Sequence, residues 1–252
     1  MFEVPSNPLP APLPETTAEV VTQPPLRVLH LDPDFVAVSK PSGLLVHRDD
    51  HHKDAPAALQ VVRDQLGKFL YPFHRLDRAT SGVLLFAFSS QAAAAMQACL
   101  ASPDAVKEYL ALMRWPGSDR ALPDVWKCAE PLADEKDKPR HACTEFELVQ
   151  AFRHCAFVRC RISTGRYHQI RRHASHCGRH ILGDETHGRD RLNVAFRDRY
   201  GLQRLFLHLQ RISMRHPTSN ERLELTDPMP PELLAVLDRL RADPKRSPLR
   251  AR

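Results

Sequence analysis

The segment HRLDRATSGVLLFA, residues 74–87, decides how this chain reads. Its first half is crowded with polar groups, from His74, Arg75, Asp77 and Arg78 to Thr80 and Ser81, and ends at Gly82. Residues 83–87, VLLFA, then form a continuous apolar run bounded by Gly and Ser. That run is too short for a typical helix and predicts a buried strand. The two hydroxyls and the glycine suit a tight, hydrogen-bonded turn at the strand's mouth. Such a turn presents Asp77 to solvent between two arginines, whose charges favour an ionised carboxylate. From spacing alone, Asp77 reads either as half of a surface ion pair or as a reactive group.

Upstream, LRVLHLDPDFVAVSKPSGLLVHR (residues 26–48) predicts a strand at 27–31, a turn at 32–34, a second strand at 35–39 and a turn over KPSG at 40–43. Residues 58–66, ALQVVRDQL, have helical spacing in Leu59, Val62 and Leu66. Downstream, residues 89–102 predict a second helix with Ser89 as its N-cap. Residues 106–115 alternate and predict a strand carrying Tyr109. The charged, Pro-containing residues 116–141 predict a long, partly mobile loop. A hairpin is expected from Thr144, turning at 152–155.

The stretch TGRYHQIRRHASHCG, residues 164–178, predicts a Thr-Gly turn and a helix over 168–177. On that helix Gln169, Arg172 and His176 share one face, and Ile170, His173 and Ala174 another, which leaves Arg171 free to turn toward the sheet. Residues 189–199 read as a basic insertion, and 202–217 as a short helix followed by a strand. Residues 228–241 end in an amphipathic helix through Leu233, Leu234, Leu237 and Leu240.

HRLDRATSG resembles the HRLDxxTSG signature of the RluA-type pseudouridine synthases. Further motifs follow in the same order. KPSGLLVH resembles KPxGLLVH, KEYLA (107–111) resembles KxYxA, and TGRYHQIRRH resembles TGRxHQxRxH. HILGDETHG is similar to PxxGDxxYG with His at the aromatic position, and RLFLHL (204–209) to RLxLHA with Leu at the small last residue. The likeness covers roughly residues 26–217. It implies an α+β fold, a central mixed, mostly antiparallel sheet flanked by helices and loops.

The resemblance also implies Asp77 as the catalytic residue, Arg171 as its ion-pair partner and Tyr109 as an active-site ring. Tyr109 either stacks on the base, helps remove a proton, or both. A uridine inside a helix must be extruded before reaction. Arg75 is placed in the vacated stack, because a planar guanidinium both stacks and bonds to bases. Arg78, Arg166 and Arg172 would neutralise phosphates. Thr80, His168 and Gln169 join the RNA-binding set, and Leu205 is a wall of the uracil pocket. His47 and Arg48 read equally as RNA-facing groups or as ordinary loop polars.

The charge of +6 and a pI near 9.1 favour a polyanionic partner. There is no eighteen-residue apolar run, and the N-terminus lacks a basic start and apolar core, so neither a membrane helix nor a signal peptide is expected. The six cysteines show no CxxC pair, which fits reduced thiols in the cytoplasm. His168, His173, His176, Cys177 and His187 match no standard metal spacing, and no P-loop or GxGxxG occurs. A chain needing no metal, cofactor or protein partner, and acting as a monomer, is therefore expected.

Residues 1–25 read as a disordered Pro-rich leader, 26–242 as a stand-alone catalytic domain and 243–252 as a basic disordered tail. VHRDD, LQVVRDQLG and GDETHG…YGLQRLFLHL resemble the tRNA-modifying branch of the family, which implies tRNA position 65 as the target. Ribosomal RNA or another tRNA uridine is the alternative. A non-catalytic RNA-binding module and a metal-dependent RNA hydrolase are the rivals from other classes.

Overall fold

The computed structural model describes residues 23–115, 123–152 and 154–243, apart from 49 and 51. The expected leader and tail lie outside the described residues, except for 23–25 and 243. The strands are β1 (Val28–Leu31), β2 (Phe35–Lys40), β3 (Tyr71–Pro72), β4 (Ser81–Ala87), β5 (Val106–Arg114), β6 (Val125–Cys128), β7 (Leu132–Ala133), β8 (Pro139–Arg140), β9 (Thr144–Ala151), β10 (Cys155–Ile162), β11 (Leu207–Arg215) and β12 (Arg222–Thr226). The helices are α1 (Ala58–Leu66), α2 (Ser90–Ala101), α3 (Gln169–His176), α4 (Asp190–Tyr200) and α5 (Pro231–Ala242).

One mixed sheet runs in the order β1-β2-β4-β11-β5-β10-β9-β6, with β12 on β11 and β3 on β4. All its pairings are antiparallel except β4 with β11. This is the α+β architecture expected. The VLLFA run lies in β4, every residue of which is buried, as a strand covered on both faces requires. In β5, Tyr109, Ala111 and Met113 enter one core, while Leu110 and Leu112 enter a second. That alternation places α4 and α5 over the second face of the sheet. The first face packs against Val62 of α1, Met96 of α2, and Ile170 and Ala174 of α3.

Register places the site. Gly82 pairs with Lys40 on one side and Leu209 on the other, and Leu209 pairs with Tyr109. A single row across β2, β4, β11 and β5 thus brings Tyr109 beside the turn that precedes β4. The β11–β5 register shifts between Leu209 and Arg211, directly after this row. Such a shift bends a strand and re-aims its side chains next to a site.

Three expectations are corrected. Of the expected loop over 116–141, residues 116–122 lie outside the described residues and 123–141 are not a bare loop: β6 extends the sheet along β9, and β7 pairs with β8. The basic insertion is helix α4, which seats Phe196 and Tyr200 in the second core. Residues 202–206 are not helical; the chain runs through them into β11.

Gly82 has φ of +126, and a Cβ there would lie 2.3 Å from the carbonyl oxygen of Leu209. Both the backbone angle and the approach of β11 require glycine. Gly82→Ala is expected to destabilise the fold by about 3 kcal/mol or more, read as a lowered urea midpoint with an unchanged slope.

Candidate active site

The turn before β4 is fixed from below by a buried lysine. Lys40, fully buried, donates to the carbonyls of Pro41 (2.8 Å), Arg78 (3.1 Å) and Thr80 (2.8 Å). Burial, reinforced by the nearby Arg204, pushes its ammonium down to about 7. The KPSG turn closes the frame: the Gly43 amide donates to the Arg78 carbonyl at 2.8 Å, Ser42 Oγ to the Ala79 carbonyl at 2.7 Å, and Arg78 Nε to the Gly43 carbonyl at 2.9 Å.

The carboxylate this frame presents is not paired with its flanking arginines. Its partner is Arg171 of α3, whose Nη1 donates to Asp77 Oδ2 at 3.2 Å. The same guanidinium grips Asp184 with two parallel bonds, Nε to Oδ2 and Nη2 to Oδ1, each 2.8 Å. Both side chains are nearly sealed, at 6% and 1% exposure. Burial opposes the charge on Asp184. The Arg171 bonds and the amides of Thr186 and His187 outweigh it and hold the carboxyl below its ordinary value.

His168 completes this side of the site. It is the residue before α3, in a left-handed conformation with φ of 51. Its Nε2 stands 3.8 Å from Asp77 Oδ2, and its Nδ1 pairs with His187 Nε2 at 3.0 Å. Burial, with the Arg171 cation opposing Asp77, pushes His168 down to about 4, so it is uncharged at neutral pH. Tyr109 lies across the cleft. Burial, and then the negative charge of Asp77, push its hydroxyl above the ordinary value, which keeps it protonated.

Asp77, Tyr109 and Arg171 meet in an open cleft of about 570 Å3, solvent-open mouth included. Arg75, Thr80, Arg166, His168 and Gln169 line it as well. Thr80 is buried, yet its hydroxyl makes no hydrogen bond within the protein. Several expected positions have other partners. Gln169 spends its amide internally: Oε1 accepts from Thr164 Oγ1 and the Arg166 amide, and Nε2 donates to the Cys143 carbonyl. It clamps the loop and does not offer its amide to RNA. Leu205 belongs to the core, and Leu207, two residues on, lines the cleft. Arg78 is exposed but turned onto Gly43, and His47 and Arg48 are exposed away from the cleft lining.

Among the described residues, one side-chain group has metal-like spacing: Asp32, Asp34 and His216. It sits at the far end of β11 from Leu207. There the amides of Thr218 and Ser219 donate to His216 Nδ1, which leaves Nε2 as the N–H that faces Asp32 at 3.3 Å. That tautomer makes a His–Asp pair, not a ligand set. No described helix is long and apolar enough to cross a membrane.

A family model for RNA pseudouridylate synthase matches residues 34–176. The chain belongs to that family. Similar proteins include tRNA pseudouridine synthase C of Vibrio parahaemolyticus, 35% identical over 218 residues (79% of this chain, 88% of the relative). The Haemophilus influenzae protein of the same name is 36% identical over 221 residues (80% and 92%). Two solved human pseudouridylate synthase folds, RNA pseudouridylate synthase domain containing 4 and 1, superpose with TM-scores of 0.68 and 0.65 at 23% identity. They cover 85% and 90% of this chain and 93% and 91% of theirs.

Sequence reasoning quoted the GDETHG motif of this pseudouridylate synthase without assigning Asp184 a task. The signal was an acid after a glycine whose Cβ would strike the Arg204 carbonyl at 2.0 Å, a contact visible only in three dimensions. Asp184→Ala is expected to cost about 3–5 kcal/mol in urea unfolding, because it strands a buried cation, and Arg171→Met combined with Asp184→Leu to recover part of that. The Asp184 carboxyl is depressed in the fold. Its stabilisation is therefore complete above the ordinary carboxylate range and is lost as pH falls through the folded value. An acid-unfolding midpoint that is unchanged in Asp184→Ala would contradict this.

Proposed function

We propose that this chain converts uridine to pseudouridine in tRNA, at position 65, through Asp77. The observation that carries the reading is a carboxylate held in an open cleft by a buried arginine and facing a neutral tyrosine. The names of its relatives supply the substrate class. Residues 26–242 form the catalytic domain in this reading, which works as a cytoplasmic monomer without cofactor.

The reaction breaks the C1′–N1 bond, rotates the base and forms a C1′–C5 bond; C5 then gives up its proton and N1 gains one through solvent, so the product is an isomer of uridine. The ion pair with Arg171 and the contact with the uncharged His168 both fall on Oδ2, which leaves Oδ1 for the substrate. Asp77 acts in one of two ways. As a nucleophile at C1′ it forms a sugar ester as uracil leaves, and C5 then displaces the carboxylate. As a base it takes the C2′ proton and returns it when C5 adds to C1′. Either route restores an ionised Asp77 before the C5 proton departs.

Arg171 balances the carboxylate charge throughout. Tyr109 enters neutral, so its part is to pack against the base and donate its O–H; it is a poor proton acceptor. Leu76, Ile162 and Leu207 supply apolar walls for a flat base, and the free Thr80 hydroxyl supplies a hydrogen bond to it. Arg75 and Arg166, exposed at the mouth, meet the displaced stack and the phosphates.

Purified protein, with no metal or cofactor added, is incubated with unmodified tRNA and ribosomal RNA transcripts. Carbodiimide-dependent primer extension then maps pseudouridine. One stop at tRNA position 65 is expected, lowered at least about 10²-fold by Asp77→Asn. Tyr109→Phe is expected to retain more activity than Tyr109→Ala. A stop at another uridine overturns the substrate, and binding of RNA without any stop overturns the enzyme.

A further inference from the structure

Tyr167 is the aromatic residue the mechanism leaves unused. It is 60% exposed and lines the same cleft as Asp77 and Tyr109. Exposure alone carries nothing: Phe69 is more exposed still, and it leans edge-on against Tyr71. Tyr167 is held differently. Its ring lies flat on His168, with centroids 3.8 Å apart and planes 19° apart. His168 itself has a left-handed backbone, which a non-glycine residue keeps only where its surroundings enforce it, so the plane beneath Tyr167 is fixed in place. The guanidinium carbon of Arg75 stands 6.0 Å over the Tyr167 ring. That is the outer limit of cation–π contact, so the two groups face each other without packing closely; base stacking spaces planes by about 3.4 Å, so one intervening base needs about twice that. A shift of about 1 Å in the long, exposed Arg75 side chain opens the gap to that width.

We infer that Tyr167 is a stacking platform for a nucleobase of the substrate RNA, the one next to the uridine in the cleft, with Arg75 closing over its other side. This rests on the RNA-modifying reading above. It also gives the phenol a task that its sequence position, the variable residue of TGRxHQ, does not announce. An aromatic face accepts any base, so the platform contributes affinity and placement and does not read sequence. His168, uncharged, backs the ring as a second aromatic plane and keeps it from swinging away from the cleft mouth.

The test uses the full chain and tRNA transcripts bearing 2-aminopurine on the 3′ or 5′ side of the uridine mapped by carbodiimide. If none is mapped, uridine 65 is used. Binding of the wild type is expected to quench one of the two probes. Tyr167→Leu, which keeps apolar bulk without a π face, is expected to abolish the quench and raise KM about tenfold with kcat nearly unchanged. Tyr167→Phe is expected to rescue both losses, and thermal melts confirm that each variant folds. The inference is overturned if Tyr167→Leu quenches and binds like the wild type. It is equally overturned if that variant lowers kcat with KM unmoved, since the ring would then serve only to hold His168 near Asp77. Ring-dependent quenching without pseudouridine sinks the proposed function and leaves the platform. Pseudouridine without ring-dependent quenching does the reverse, and a wild type that binds neither transcript sinks both.

Discussion

A single guanidinium ties the site together. Arg171 reaches the turn before β4 and the loop after α3 at once, bonding Asp77 through one nitrogen and Asp184 through two others. Placing that cation in a sealed position is unfavourable unless its donors are met in good geometry. Asp184 meets two of them and is itself oriented by two backbone amides. The N–H groups left over have fixed directions in the guanidinium plane, and Asp77 stands where one on Nη1 points. The carboxylate is thus aligned by a partner that cannot rotate away, which is what separates it from a surface ion pair.

The opposite wall of the cleft is fixed by the sheet. The pairing of Lys40, Gly82, Leu209 and Tyr109 in one row sets the phenol beside the turn, and the buried Lys40 ammonium locks the turn's carbonyls. These two devices are independent. One is a side-chain bridge from a helix and the other a backbone register, and Asp77 lies where they converge. Preorganisation of this kind lets a charged group act without reorganising solvent around it.

Much of this was legible in the residues, and the misses share a cause. Helix α1 occupies the residues its apolar spacing predicted, and Ser89 caps α2 by accepting from the Ala92 amide. Strand β4, the hairpin of β9 and β10, and Arg171 turning toward Asp77 were all readable from local pattern or motif. Helix α4 was read past because its charges hid a periodic set, Leu192, Phe196 and Tyr200. Strand β12 was missed although RLELT alternates. Gln169, Leu205 and Arg78 were assigned from their places in motifs shared with the family. Their true partners, the Cys143 carbonyl, the core and Gly43, lie tens of residues away or inside the fold. Asp184 failed for the same reason: no local pattern tells which buried cation an acid will meet.

The parallel seam between β4 and β11 has a consequence for how the molecule comes into being. Ser81 and His208, joined across it at 2.9 Å, are separated by 127 positions. β11 lies between β4 and β5, so it is a middle strand of the sheet although nearly the last to be synthesised. Until it emerges, the growing chain can pair β1, β2 and β4 on one side and β5, β10 and β9 on the other, but not join them. Each half then presents a bare, apolar inner edge, the feature that invites pairing with the wrong chain. Contacts so distant in sequence also form slowly, because the loop between them must close first. The cleft therefore closes late in folding, when the strand that unites the two half-sheets slides between them.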